Sequence, residues 1–252
     1  VKFSEAVLVL YSPASSDGFW GLNWELRRVW AKGKRVYLPW IAGILLVSVP
    51  VFFQAPLVRW SPEISLALTL VWFLLGAVWK RSPSLQDWGD LSQGFGWSWL
   101  AGSLYWGWLR GEPLLHLPVE AIGLPVALWG LWQGQGKLGH TFYLGSLLGT
   151  AITDGYFYLI NVVPQWRALM AATLTDAPGI LQAALSVVGT PWGITSGLAL
   201  ALLLLFLGLC PLRSRQPHAW VFSGTLVGTL LVDSLFGLAA WLSVSVTNSN
   251  IS

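Results

Sequence analysis

The sequence predicts an all-α polytopic membrane bundle of about seven transmembrane helices, with a cytoplasmic N-terminus and a C-terminus on the outer or lumenal side. Three observations predict it. Of 252 residues 55% are hydrophobic and only 10% charged, whereas a soluble domain needs about 25% charged residues to cover its surface. The 18 Trp supply a side chain whose apolar ring and N–H donor suit the membrane–water interface. Apolar runs also recur at lengths that cross a hydrocarbon core of roughly 30 Å. The net charge of +3 therefore bears on topology and not on nucleic acid. A lone Cys210 excludes an intrachain disulfide framework and a multi-Cys metal site. The partners this composition implies are the lipid bilayer and other membrane subunits.

Residues 1–35 hold six of the 14 basic residues. After the capping types Ser15, Ser16 and Asp17, the residues Phe19, Leu22, Leu26, Val29 and Trp30 recur at helical spacing. This pattern predicts a basic amphipathic helix on the cytoplasmic membrane face. No signal peptide is expected, because the charge follows the apolar patch at Ala6–Tyr11 instead of preceding it. The expected spans are Val36–Phe53, Pro62–Val78, Gly94–Leu109, Pro113–Trp132, Leu138–Val163, Trp192–Cys210 and Ala219–Val244, which form a bundle over 36–244. The third is the shortest and most aromatic. An uncharged outer tail, 245–252, follows.

Lys and Arg gather on the cytoplasmic side of membrane proteins, and with these spans the inner segments carry 11 of the 14 and the outer loops only Arg59, Arg110 and Arg167. Dropping one span would flip every later loop and spoil that division. In the long outer loop, Asp176 is placed to cap a helix carrying Ile180, Leu181, Ala184, Leu185 and Val188 along the surface.

One ten-residue stretch, 145–154 (GSLLGTAITD), returns 79 residues later as 224–233 (GTLVGTLLVD) with five positions identical. This points to a parallel repeat of two hairpins, 113–163 and 192–244. On a helix of 100° per residue, Gly145 and Gly149 lie on one side, and Thr150 and Asp154 on another. Gly224 and Gly228 stand in the same relation to Thr229 and Asp233. The glycine sides predict close helix packing. The acid sides must face protein or water, since a carboxylate against lipid costs at least about 2.5 kcal/mol. Thr150 and Thr229, each four residues before its Asp, are near enough to hydrogen-bond it.

Glu120, between Pro118 and Pro125, is a third carboxylate within a span. Counted from the outer ends, Glu120, Asp154 and Asp233 lie roughly 10, 14 and 16 Å deep, one layer outside the midplane. No Lys or Arg falls inside a span to pair with them. His116 and His140 sit near opposite span ends, where a His is ordinarily an interface residue. Either can in principle ligate the magnesium of a chlorophyll, which makes chlorophyll or carotenoid the cofactors to consider. No nucleotide loop, nucleophile elbow or metalloprotease motif is present, so neither catalysis nor a metal site is expected.

The runs 20–30 (WGLNWELRRVW) and 150–161 (TAITDGYFYLIN) resemble a family of polytopic cyanobacterial membrane proteins catalogued as a domain of unknown function. The resemblance implies a thylakoid or cytoplasmic membrane of an oxygenic phototroph and carries no residue roles. Two functions follow as expectations. One is a non-enzymatic subunit or assembly factor docked on a photosynthetic complex. The other is a small proton- or cation-coupled transporter using Glu120, Asp154 and Asp233. A short third span and the lack of an intramembrane base weigh against transport, so the sequence favours the docking subunit.

Overall fold

The computed structural model describes residues 37–173 and 175–249 as an all-α bundle. The amphipathic helix expected within residues 1–35 lies outside the described residues. Among these there are nine helices. α1 is Tyr37–Trp60 and α2 Pro62–Trp79. α3 is Gln86–Leu104, continued by the π-turn Tyr105–Leu109. α4, Pro113–Trp132, is interrupted; α5 is Lys137–Leu159. The short helices α6, Val163–Ala171, and α7, Ala177–Val188, precede α8, Pro191–Leu209, and α9, Pro217–Ser249.

Proline punctuates this order. Pro62, Pro113, Pro164, Pro178 and Pro191 each stand in the first turn of a helix, where a missing N–H costs nothing and the fixed φ is already helical. Inside α1, Pro50 opens the π-turn Pro50–Gln54, which delivers Gln54 into the interior, 1% exposed. There its amide donates to the Trp99 carbonyl (2.6 Å) and to Ser103 Oγ (2.9 Å). Ser103 in turn meets Ser65 Oγ at 2.8 Å. This polar knot joins α1, α2 and α3.

Among the described residues, five helices are long and apolar enough to cross a membrane: α1, α2, α4, α8 with its 3₁₀ extension, and α9. Lipid-type exposure runs along them, as at Leu70 and Leu74 of α2 and Leu202 and Phe206 of α8. α3 and α5 are equally long and less apolar, because their neighbours are protein. α3 buries Gly89, Asp90, Ser92, Gly94, Gly96 and Ser98 among others, a surface that would be costly in lipid and is harmless between helices. Its helix starts eight residues before the expected Gly94, since Asp90 accepts the Leu138 and Gly139 N–H groups at 2.9 and 3.2 Å. A side chain of α3 thus caps the N-terminus of α5.

Contacts give the directions. Gly145, Gly149 and Thr153 of α5 meet Thr225, Thr229 and Asp233 of α9 in rising order, so these helices run parallel. α3 runs parallel to α5, with Gly94 on Gly139 and Phe95 on Phe142. α1 runs parallel to α9, with Trp40 on Gly224 and Val47 on Gly228. α2, α4 and α8 return in the opposite sense, as Ser65 against Ser103, His116 against Asp154 and Gly208 against Leu226 show.

Other boundaries differ from expectation too: α1 runs on to Trp60 instead of ending at Phe53. α5 stops at Leu159 instead of Val163: Asn161 takes a positive φ of 59°, and the N–H groups of Asn161 and Val162 bond the Tyr158 and Phe157 carbonyls, a Schellman stop. α9 continues through Ser249, so 245–249 is helix and not tail. In the long loop the helix 177–188 forms, and Asp176 stands at its N-cap position. The Asp176 carboxylate accepts from Thr173 Oγ1 (2.6 Å) and makes no cap bond.

Candidate functional site

α4 cannot run unbroken, because Pro118 and Pro125 lack the N–H its ladder needs. It divides into the segment His116–Glu120, the 3₁₀ turn Ala121–Gly123 and the helix Leu124–Trp132. Tyr143 of α5 repairs the break, its hydroxyl donating to the Glu120 carbonyl (2.6 Å) and accepting from the Gly123 N–H (3.0 Å). That clamp sets His116 and Glu120, one helical turn apart, against α5.

His116 is the centre of the site. Its Nδ1 lies 2.9 and 3.0 Å from the two carboxylate oxygens of Asp154, and its Nε2 lies 3.8 Å from Glu120 Oε1. Asp154 is 1% exposed, and His116 and Glu120 are 8% exposed each. Aromatic rings enclose the imidazole. Tyr105 of the α3 π-turn stacks on it with centroids 4.2 Å apart, and Trp106 and Trp166 meet it edge-on at 5.4 and 5.7 Å. Trp166, from α6, also stacks on Trp106, 8° from parallel.

The third acid is elsewhere. Asp233 is half-buried and accepts a hydrogen bond from Thr153 Oγ1 at 2.7 Å. Thr153 and Asp154 are consecutive on α5 and so diverge by 100°, one toward α9 and the other toward α4. Glu120 and Asp154 therefore share a site with His116, and Asp233 lies at the same level on the other side of α5.

The Thr–Asp bonds expected within each motif copy are not formed. Thr229 Oγ1 donates back to the Thr225 carbonyl (3.1 Å), the usual direction for a helical hydroxyl. Asp154 is taken by His116 and Asp233 by Thr153, while Thr150 makes no bond to its Asp. The glycines are packing positions. A Cβ at Gly149 would stand 2.6 Å from Thr229 Oγ1, and one at Gly228 would stand 2.5 Å from Val47 Cγ1. At Gly145 the obstacle is Thr225, at 3.1 Å, and at Gly224 it is the Trp40 carbonyl.

Both histidines lie against protein groups. Both ring nitrogens of His116 face carboxylates, which makes it a core residue and not the interface residue its place in the sequence suggests. His140 Nε2 lies against the backbone of Gly130 and Gly136, and its Nδ1 is buried.

Sequence reasoning passed over Tyr105, Tyr143, Thr153 and Trp166. For His116 a signal existed: its four-residue spacing from Glu120 puts both on one helix face. The others depend on which helices meet. A bundle of long apolar helices around a buried polar cluster defines an integral, polytopic helical membrane protein. Over residues 43–241 the chain matches, and belongs to, the family described as "Protein of unknown function (DUF3120)". No curated protein and no solved structure matches it.

Proposed function

We propose that this protein is a small proton-conducting membrane transporter or channel in which Asp154, His116 and Glu120 relay the proton. The observation that carries this reading is the burial of His116 between two carboxylates, the intramembrane base that the sequence alone does not reveal. The other objection to transport also falls, since α3 runs from Gln86 to the end of its π-turn at Leu109. Histidine is the side chain whose charge changes nearest neutral pH. A proton passed from protonated Glu120 to Nε2 makes an imidazolium, whose Nδ1 proton then moves to the Asp154 carboxylate. The Glu120 gap of 3.8 Å exceeds a hydrogen bond, so rotation of that side chain would make and break the relay.

The alternating directions of α1 to α5, α8 and α9 support seven crossings, with α3 and α5 shielded inside the five apolar spans. The basic-residue division supports a cytoplasmic start. The family resemblance supports a thylakoid or cytoplasmic membrane of a cyanobacterium. Purified protein in liposomes with an entrapped pH dye tests the function. Wild type should dissipate an imposed pH gradient, and Asp154→Asn should slow it at least tenfold while remaining folded. Full proton flux in folded Asp154→Asn would exclude the relay.

Docking on a photosynthetic complex is the second reading, favoured by the large exposure of Trp60 (83%) and Trp132 (77%), indoles available to a partner as well as to headgroups. Native purification with mass spectrometry and an absorption spectrum tests it: co-purifying subunits or pigments support docking, and a colourless, partner-free protein opposes it.

A further inference from the structure

The His116 cluster sits close to one end of the bundle, the end that carries α6. At 1.5 Å per residue His116 is roughly 5 Å from the start of α4, and Asp154 is roughly 8 Å from the end of α5. What separates it from that end is α6. Trp166 lies against His116 and stacks on Trp106, and the next residue, Arg167, reaches back to Glu112 with Nη2 2.7 Å from Oε1. Glu112 precedes α4 directly and also accepts the Leu114 N–H (3.4 Å), so one surface ion pair ties α6 to the start of the helix that bears His116. Both partners are nearly half exposed, at 47% and 43% of their side chains.

Beneath this tie are two donors without acceptors. Tyr105 Oη, on a fully buried side chain, and Trp166 Nε1 are buried and have no hydrogen-bond partner among the described residues. Their rings are the ones stacked on and set against His116. Leaving a buried donor unpaired costs about 1–3 kcal/mol, and buried polar groups of this kind are ordinarily met by water. A π-turn carries Tyr105, and such turns are frequent at functional sites.

We infer that Tyr105 Oη and Trp166 Nε1 form a binding site for water that connects His116 to the α6 end, with Trp166 as its plug and the Glu112–Arg167 pair as its clasp. In the clasped state the indole covers the imidazole. Parting Arg167 from Glu112 frees α6 to lift, water enters against the two donors, and the relay exchanges its proton with that compartment. The inference rests on the proton-relay reading for its purpose, and its test does not.

In full-length protein with Cys210→Ser, a single reporter cysteine is placed by His116→Cys or, independently, by Tyr105→Cys. Its rate of reaction with a membrane-impermeant methanethiosulfonate added to the α6 side is then measured in liposomes. Arg167→Glu, which sets two acids face to face, should raise the rate at least tenfold at both reporters. The exchanged pair Glu112→Arg with Arg167→Glu should restore the slow rate. Unchanged labelling in Arg167→Glu at both reporters, or reaction only from the opposite side, overturns the gate. If labelling responds as expected but the wild type carries no protons, the gate stands and the transport reading fails. If protons flow and labelling does not respond, the reverse holds.

Discussion

Asp154 and Asp233 occupy the same place in two copies of one ten-residue motif and meet opposite surroundings. Asp154 is fully enclosed, with both oxygens on His116; Asp233 is half-buried and held by one hydroxyl from the other copy. The glycines diverge in the same way. Those of α5 receive threonines of α9, whereas those of α9 receive the backbone and a valine of α1. A motif therefore specifies that a helix has one face for close approach and one for a carboxylate. Its neighbours decide what each face does.

The largest effect should come from breaking the crossing that joins the two copies. In Gly149→Val the added atoms meet Thr229 from 2.6 Å, whereas at Gly237, in the second half of α9, a Cβ finds nothing within 4 Å. Overpacking of this kind costs about 1–3 kcal/mol or more. Gly149→Val should lower the yield of monodisperse protein severalfold, and Gly237→Val should match wild type in the same chromatography.

The two acids themselves come next. Asp154→Asn leaves His116 without its carboxylate and should destabilise by about 1–3 kcal/mol as well as stopping proton flux. Asp233→Asn keeps an oxygen that Thr153 can bond, and should shift thermal stability by less than about 0.5 kcal/mol. Equal melting shifts for the two would show that the enclosure of Asp154 has no energetic meaning.

Tyr143→Phe sharpens the comparison from the α4 side. It removes the hydroxyl that satisfies the Glu120 carbonyl and the Gly123 N–H, for a cost of about 1–3 kcal/mol. Because the clamp positions His116 and Glu120, flux should fall with stability. A drop in melting temperature without a drop in flux would detach the clamp from the site.

The smallest effect is a pH dependence at the surface. The Arg167 guanidinium holds the Glu112 carboxyl below the usual carboxylate range. A lowered folded-state value means stability present above the ordinary Glu range and lost as pH falls through the lowered one. Arg167→Gln should therefore lower the melting temperature slightly at neutral pH and converge with wild type at low pH, which makes its acid limb shallower. An identical acid limb in both proteins would mean that the pair contributes nothing measurable.

The extent to which the molecule was legible follows from where each signal resides. Apolar runs, Trp content and the division of basic residues report on a chain's relation to lipid, which each residue senses individually, so the all-helical membrane class and the five apolar spans could be read directly. The Gly pairs could be read as packing faces because a missing side chain has one main use between helices in lipid. α3 was harder. Its polar first turns look like loop until Asp90 is seen capping α5, and that bond exists only because the two helices lie side by side.

By itself the sequence determined that this is a membrane bundle, that α5 and α9 each carry a small-residue face and an acid, and that α4 carries Glu120 between two prolines that lack the N–H a helix needs. Those properties are local: composition, helical periodicity and the missing proline N–H act within a few residues. Only the tertiary structure decided that His116 is buried between Asp154 and Glu120, that Asp233 answers to Thr153, and that Trp166 packs against His116. Each of these pairs a residue of one helix with a residue of another. Which partner a buried polar group finds depends on the register at which the helices cross, and that register is fixed by glycines elsewhere on them.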